Sequence, residues 1–264
     1  MEFDFTSLLP LCAFAFLAGF VDSMVGGGGL VQLPALFVFL PRELAGQVAL
    51  VFGTNKLVSI CGTGVAAVQY ARRMPVRWHS ILPAGMAAFV FSFIGARLVA
   101  HLESHYSQLL RPVIWFLLVA VAVHAFLRKD FGRLHQPQFA AGRERWLGVL
   151  VGAGIGFYDG FFGPGTGSFL LFIFIGLFGF DFLNASASAK FVNFTTNLSA
   201  VIYFGATGNI RYDFALPMAA CNVAGALTGT RLAMLKGNAF VRGFFLAVVT
   251  VMILRFGHDI FLKP

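Results

Sequence analysis

Charge is what this sequence is shortest of. Asp, Glu, Lys and Arg make up 11% of its 264 residues, whereas a soluble globular domain carries about 25%. Too little polar material remains to solvate a surface, which excludes an ordinary soluble domain. Cysteine is nearly as scarce. Cys12, Cys61 and Cys221 stand singly in apolar segments with no CxxC spacing, so they read as small packing residues and not as disulfide or metal ligands. Nucleotide loops are missing too: no G-x-x-x-x-G-K-[ST] or G-x-G-x-x-G occurs at the glycine-rich stretches. The net charge of +8 falls mainly in short segments between apolar runs, without the basic and aromatic alternation of a nucleic-acid groove. No basic n-region precedes the first apolar run, where Glu2 and Asp4 stand instead, so a cleaved signal peptide is not expected.

What is present is apolar: 58% of residues are hydrophobic, and 33 are Phe. The runs lie near 5–40, 44–70, 79–100, 109–127, 147–180, 184–206, 214–235 and 239–262. Most approach the roughly 20 residues that span a bilayer as a helix. The expected fold is therefore all-α, a polytopic transmembrane helical bundle. Trp78, Trp115 and Trp146, near segment ends, read as interface anchors. Arg97 and Arg231 read as snorkelling side chains.

A polar stretch at 128–146 divides the chain, with five basic residues against two acidic ones. It reads as a cytoplasmic linker between a first transmembrane repeat, 1–127, and a second, 147–264. The halves correspond. Gly19, Phe20, Asp22, Gly26 and Gly28 recur 137 positions on as Gly156, Phe157, Asp159, Gly163 and Gly165. Further along the offset is 134: Lys56 falls on Lys190, Pro83 on Pro217, Gly95 on Gly229 and Arg97 on Arg231. Duplicated units of this kind are common in secondary transporters.

Each unit opens with a run too long for one upright crossing. Residues 5–40 would reach about 50 Å as one helix, against a hydrocarbon core of about 30 Å. Broken at "GGGG" (26–29), the run can fold as a re-entrant hairpin. Each unit then crosses three times and the two are inverted. A single crossing would instead give four per unit and parallel units. The length favours the hairpin. Both topologies put the 72–77 loop and the linker inside.

Irregular backbone at membrane depth is tolerated only against protein or a water-filled cavity. A helix that restarts there aims unpaired N–H groups and the positive end of its dipole into the break, which suits an anion. Gly27, Gly28 and Gly29 in the first unit, with Gly165 and Thr166 in the second, are the candidate backbone site. The plain alternative is close helix packing at small residues.

Lys56 and Lys190 lie within apolar runs, where a lysine costs about 2.5–3.5 kcal/mol. Asn193 and Asn197 lie at helical spacing from Lys190, on roughly the same face, and Asn55 adjoins Lys56, so that ammonium and amide donors gather as a small oxyanion requires. Asp22 and Asp159 are candidate coupling or structural acids; structural ion pairs with the two lysines are the competing reading. His101 and His105 are spaced to share a helix face, with Glu103 nearby, and read as an interfacial cluster, with zinc a poor second.

The phrases "GFVDSMVGGGGLVQLPAL", "TNKL", "GFYDGFFGPGTGSF" and "SAKFVN" resemble the TauE/SafE sulfite-exporter family, in its bacterial inner-membrane branch. The matching positions are Asp22, Gly26–Gly29, Asn55, Lys56, Asp159, Gly163, Gly165, Lys190 and Asn193. The resemblance implies a multi-pass transporter in the inner (plasma) membrane exporting sulfite or an organosulfonate such as sulfoacetate. Its expected partners are the small anion and the lipid bilayer, with proton or sodium as a coupling ion and a homodimer open to it. No enzyme activity, catalytic residue, cofactor, metal or nucleic acid is expected. The rivals are a coupled carrier of another small organic anion, a channel, a membrane enzyme and an assembly subunit.

Overall fold

A computed structural model describes residues 5–74, 76–127 and 139–236, with 250, 251, 253, 254, 257, 258 and 260. Among these there is helix and connecting turn but no strand. That is the economy hydrocarbon imposes, since a helix satisfies its own backbone N–H and C=O groups. The elements are α1 (Phe5–Val25), α2 (Gly28–Phe39), α3 (Arg42–Ala45), α4 (Val48–Ala71), α5 (Trp78–Leu127), α6 (Ala141–Phe161), α7 (Thr166–Gly176), α8 (Phe182–Ala206) and α9 (Tyr212–Lys236). Among the described residues three stretches, Thr6–Val25, Val48–Ala71 and Trp78–Tyr106, are long and apolar enough to cross a membrane.

The apolar runs 79–100 and 109–127 lie within α5, whose backbone leaves helical geometry at Tyr106 (φ −136°, ψ 35°). Residues 141–146 of the expected linker already belong to α6. Residues 128–138 of the linker and 239–249 of the last apolar run lie outside the described residues.

The 5–40 run folds back on itself. α1 ends at Val25, Gly26 turns the chain with φ +82°, and α2 returns along α1. Phe39 stacks on Phe14 at 5.5 Å between ring centroids, and Gly28 lies against Ala18. α2 has 12 residues, about 18 Å, half the span of a membrane. In the second half α6 turns through Gly163 (φ +94°) and Gly165 (φ +84°) into the 11-residue α7. Positive φ is cheap only for glycine, which is why both turns are glycine-rich.

Glycines also set the helix directions. Gly148, Gly152, Gly156 and Gly160 of α6 rest on Ser80, Ala84, Ala88 and Ser92 of α5 in the same order, so the two helices are parallel. Likewise α1 runs parallel to α9, with Gly19 on Asn222 and Gly229 on Phe20. α4 and α8 are antiparallel, Gly64 meeting Phe194 and Gly53 meeting Phe204. Small residues let the backbones touch, as in membrane helix packing generally. The two hairpins meet at the centre: Ser168 donates through N to Gly26 O (2.9 Å) and through Oγ to Val25 O (2.7 Å).

Glu103 has a local task. Its carboxylate accepts from Val48 N and Ala49 N at 2.5 and 2.7 Å, capping α4 at its positive end. Glu103→Ala should therefore destabilise the protein by about 1–2 kcal/mol, read from unfolding in detergent. No change would mean that water serves the cap as well. Trp115 donates to Ile253 O at 3.0 Å, tying the ends of the two halves together. Trp78 and Trp146 are exposed, as are Arg97 and Arg231.

Candidate functional site

Lys56 stands eight residues into α4 and Lys190 eight residues into α8, each about 12 Å from its helix start. Because α4 and α8 are antiparallel, the lysines enter from opposite ends. Each finds the acid of the other half. Lys56 Nζ is 2.6 Å from Asp159 Oδ2, and Lys190 Nζ is 2.7 Å from Asp22 Oδ2. The side chains of Lys56, Lys190 and Asp159 are at most 3% exposed, while Asp22 keeps 17%. Lys190 also bonds the backbone carbonyl of Asp22, in the last turn of α1, where a cation offsets the negative helix end. The structural ion pairs considered from the sequence are thus present, and they cross between the halves.

Between the pairs is a small cavity with about 20 Å³ of free space, room for a single water. Asn55, Lys56, Asn193, Asn197, Asp22 and Asp159 line it, together with backbone at Gly29, Gly165 and Thr166. Most of the side chains singled out from the sequence therefore converge on one point. Three of the expected residues do not line it. Lys190 stands behind Asp22, its ammonium taken by that residue. Gly28 donates its N–H to Asp22 Oδ1 at 3.4 Å, and Gly27 is the N-cap of α2. The α2 terminus thus serves an internal acid. Thr166 lines the cavity, but its hydroxyl donates to Gly163 O at 2.7 Å, satisfying the turn.

The amides are held from behind. Asn197 Nδ2 donates to Asn193 Oδ1 at 3.4 Å, and Thr63 Oγ1 to Asp22 Oδ2 at 3.4 Å. Gln32 and Asn222 join this buried polar set. Sequence reasoning passed over both, although each was a visible signal: a lone amide in an otherwise apolar helix, "LVQLPALF" and "AACNVAGA". Electrostatically, two ammoniums stand against two carboxylates, so the site is balanced, and both ammoniums are already engaged by acids. Among the described residues no group of three or more His, Cys, Asp or Glu could hold a metal.

Comparison with known proteins agrees over nearly the whole chain. The family profile described as "Sulfite exporter TauE/SafE" matches residues 11–256. A probable membrane transporter protein of Sinorhizobium is 35% identical over 258 residues, 98% of this chain and 95% of the relative. One from Haemophilus influenzae is 31% identical, covering 98% of both chains. A probable membrane transporter protein of Escherichia coli K12 is 33% identical over 93% of this chain and 87% of its own. No solved structure gives a significant match.

Proposed function

Since the chain belongs to the TauE/SafE sulfite exporter family of membrane transporters, we propose that it exports a small oxyanion, sulfite or an organosulfonate such as sulfoacetate, by alternating access. The observation that carries this reading is the pair of crossed ion pairs, Lys56–Asp159 and Lys190–Asp22. In this reading the halves are inverted copies, supported by the antiparallel course of α4 and α8 and by the parallel packing of α1 on α9 and α6 on α5. Each pair ties a long helix of one half to the hairpin of the other, and the two ties enter from opposite ends of the bundle. An anion reaching Lys56 takes the place of the Asp159 carboxylate and loosens one tie while the other holds. Rocking of the halves then exposes the anion on one side at a time. The protein lies in the inner membrane as a multi-pass bundle with the basic 72–77 loop inside.

An inside-negative potential contributes about 2.3 kcal/mol per charge per 100 mV to anion export, so outward transport runs without a coupling ion. The balanced charge of the cavity favours one second reading. A displaced carboxylate at Asp22 or Asp159 can accept a proton or sodium, giving a coupled carrier of a small organic anion.

Efflux from proteoliposomes loaded with sulfite, sulfoacetate or a carboxylate decides between these. We expect saturable efflux of one anion, accelerated by the potential and lost in Lys56→Ala/Lys190→Ala. Efflux indifferent to potential but driven by a proton or sodium gradient would favour the coupled carrier. Equal efflux from both proteins would return the lysines to a structural role.

A further inference from the structure

Two amides outside the cavity lining decide how Asn55 faces it. Asn222 on α9 is 3% exposed and Gln32 on α2 is 1% exposed, so neither has water to bond. Asn222 Nδ2 donates to the backbone carbonyl of Ala15 at 3.0 Å. A carbonyl only accepts, so this contact fixes which way the Asn222 amide points. The same nitrogen donates to Gln32 Oε1 at 3.1 Å. Gln32 must then turn its nitrogen towards α4, where it meets a second backbone carbonyl, Asn55 O, at 3.3 Å and Asn55 Oδ1 at 3.0 Å. With its side-chain oxygen taken, Asn55 has only N–H groups left to offer the cavity.

We infer that Gln32 and Asn222 are positioning residues that hold Asn55 as a pure N–H donor towards the transported anion. The relay runs between two backbone carbonyls, Ala15 O and Asn55 O, and neither end can flip without leaving a buried polar group unpaired. α4 leaves room for it: a Cβ at Gly62 would stand 1.9 Å from Asn222 Oδ1. The other half has no such relay, since the positions at the same offsets are Phe169, Ala88 and Ala189. The chemistry selected is that of a small ligand rich in acceptors, an oxyanion, and it disfavours a zwitterion that brings its own ammonium donors. This inference rests on the export reading of the site.

Gln32→Glu tests it in sulfite-loaded proteoliposomes, with taurine as the zwitterionic comparison. A carboxylate at 32 can still accept from Asn222, but it cannot donate to Asn55, so the Asn55 amide turns its oxygen to the cavity. KM for sulfite should rise about tenfold, the worth of one hydrogen bond to a charged partner, with Vmax within about twofold. Preference for taurine over sulfite should rise with it, and Gln32→Met, which removes the donor to Asn55 without adding a charge, should shift the preference the same way. Asn55→Asp keeps an oxygen for Gln32 and replaces the cavity-facing amide nitrogen by a second oxygen, so the same rise in KM is expected there if Gln32→Glu does not insert. An unchanged sulfite KM in the variant that inserts, or equal losses for sulfite and taurine, overturns the inference while wild-type export stands. A wild type that moves neither compound overturns the export reading and this inference together.

Discussion

Lys56→Met should abolish transport and lower the stability of the folded protein by about 3–5 kcal/mol. The lysine and its partner Asp159 are 3% and 2% exposed and 2.6 Å apart. Removing the ammonium leaves the Asp159 carboxylate buried without its counter-charge. The informative comparison is Lys56→Met/Asp159→Leu. Replacing both members of a buried pair by apolar groups of similar size is often neutral for stability, so the double variant should unfold in detergent close to wild type. On the proposed export reading its transport should stay lost, since there the anion binds the ammonium while the fold does not require it. A double variant that is stable and still transports would assign the pair to structure alone. One that remains as unstable as the single variant would show that the destabilisation does not come from the unpaired acid.

The second large effect is expected at Gly26→Ala. This residue turns α1 into α2 with φ +82°, a conformation that costs an L-residue about 1–2 kcal/mol. The added methyl would also stand 2.2 Å from the carbonyl carbon of Gly167, so the two hairpins could not meet. Overpacking of this kind costs about 1–3 kcal/mol more. We expect a total loss of about 2–5 kcal/mol, together with loss of the Ser168 bonds to Val25 O and Gly26 O. Gly154→Ala is the control, since nothing lies within 4 Å of a Cβ there and alanine favours the helix by about 0.5–1 kcal/mol. Thermal unfolding of the two variants, side by side in the same detergent, reads the difference. Equal stability would mean that the tips separate without cost.

Much of this protein was legible before any coordinates. Scarce charge and long apolar runs leave no soluble alternative, and a chain in hydrocarbon has little choice but helix. The glycines at 26–29 and 163–167 marked the turns because positive φ has few other occupants. Lys56, Lys190, Asp22 and Asp159 announced themselves by their cost at that depth.

Other features had no local signature. That each lysine pairs with the acid of the opposite half depends on α4 and α8 lying antiparallel across the centre, a matter of which helix packs on which. That Gly28 serves Asp22, and that Thr166 satisfies its own turn, depends on side-chain directions of a few ångströms. Glu103 looked like an interfacial acid with two histidines, and only its distance to Val48 and Ala49 made it a helix cap. Gln32 and Asn222 are 190 residues apart; composition, periodicity and spacing say nothing about contacts at that range. The sequence by itself determined the solvent, the helices and the residues too costly to be there without cause. The tertiary structure alone decided their partners, because a buried charge or amide takes the nearest complementary group in space, wherever that group lies along the chain.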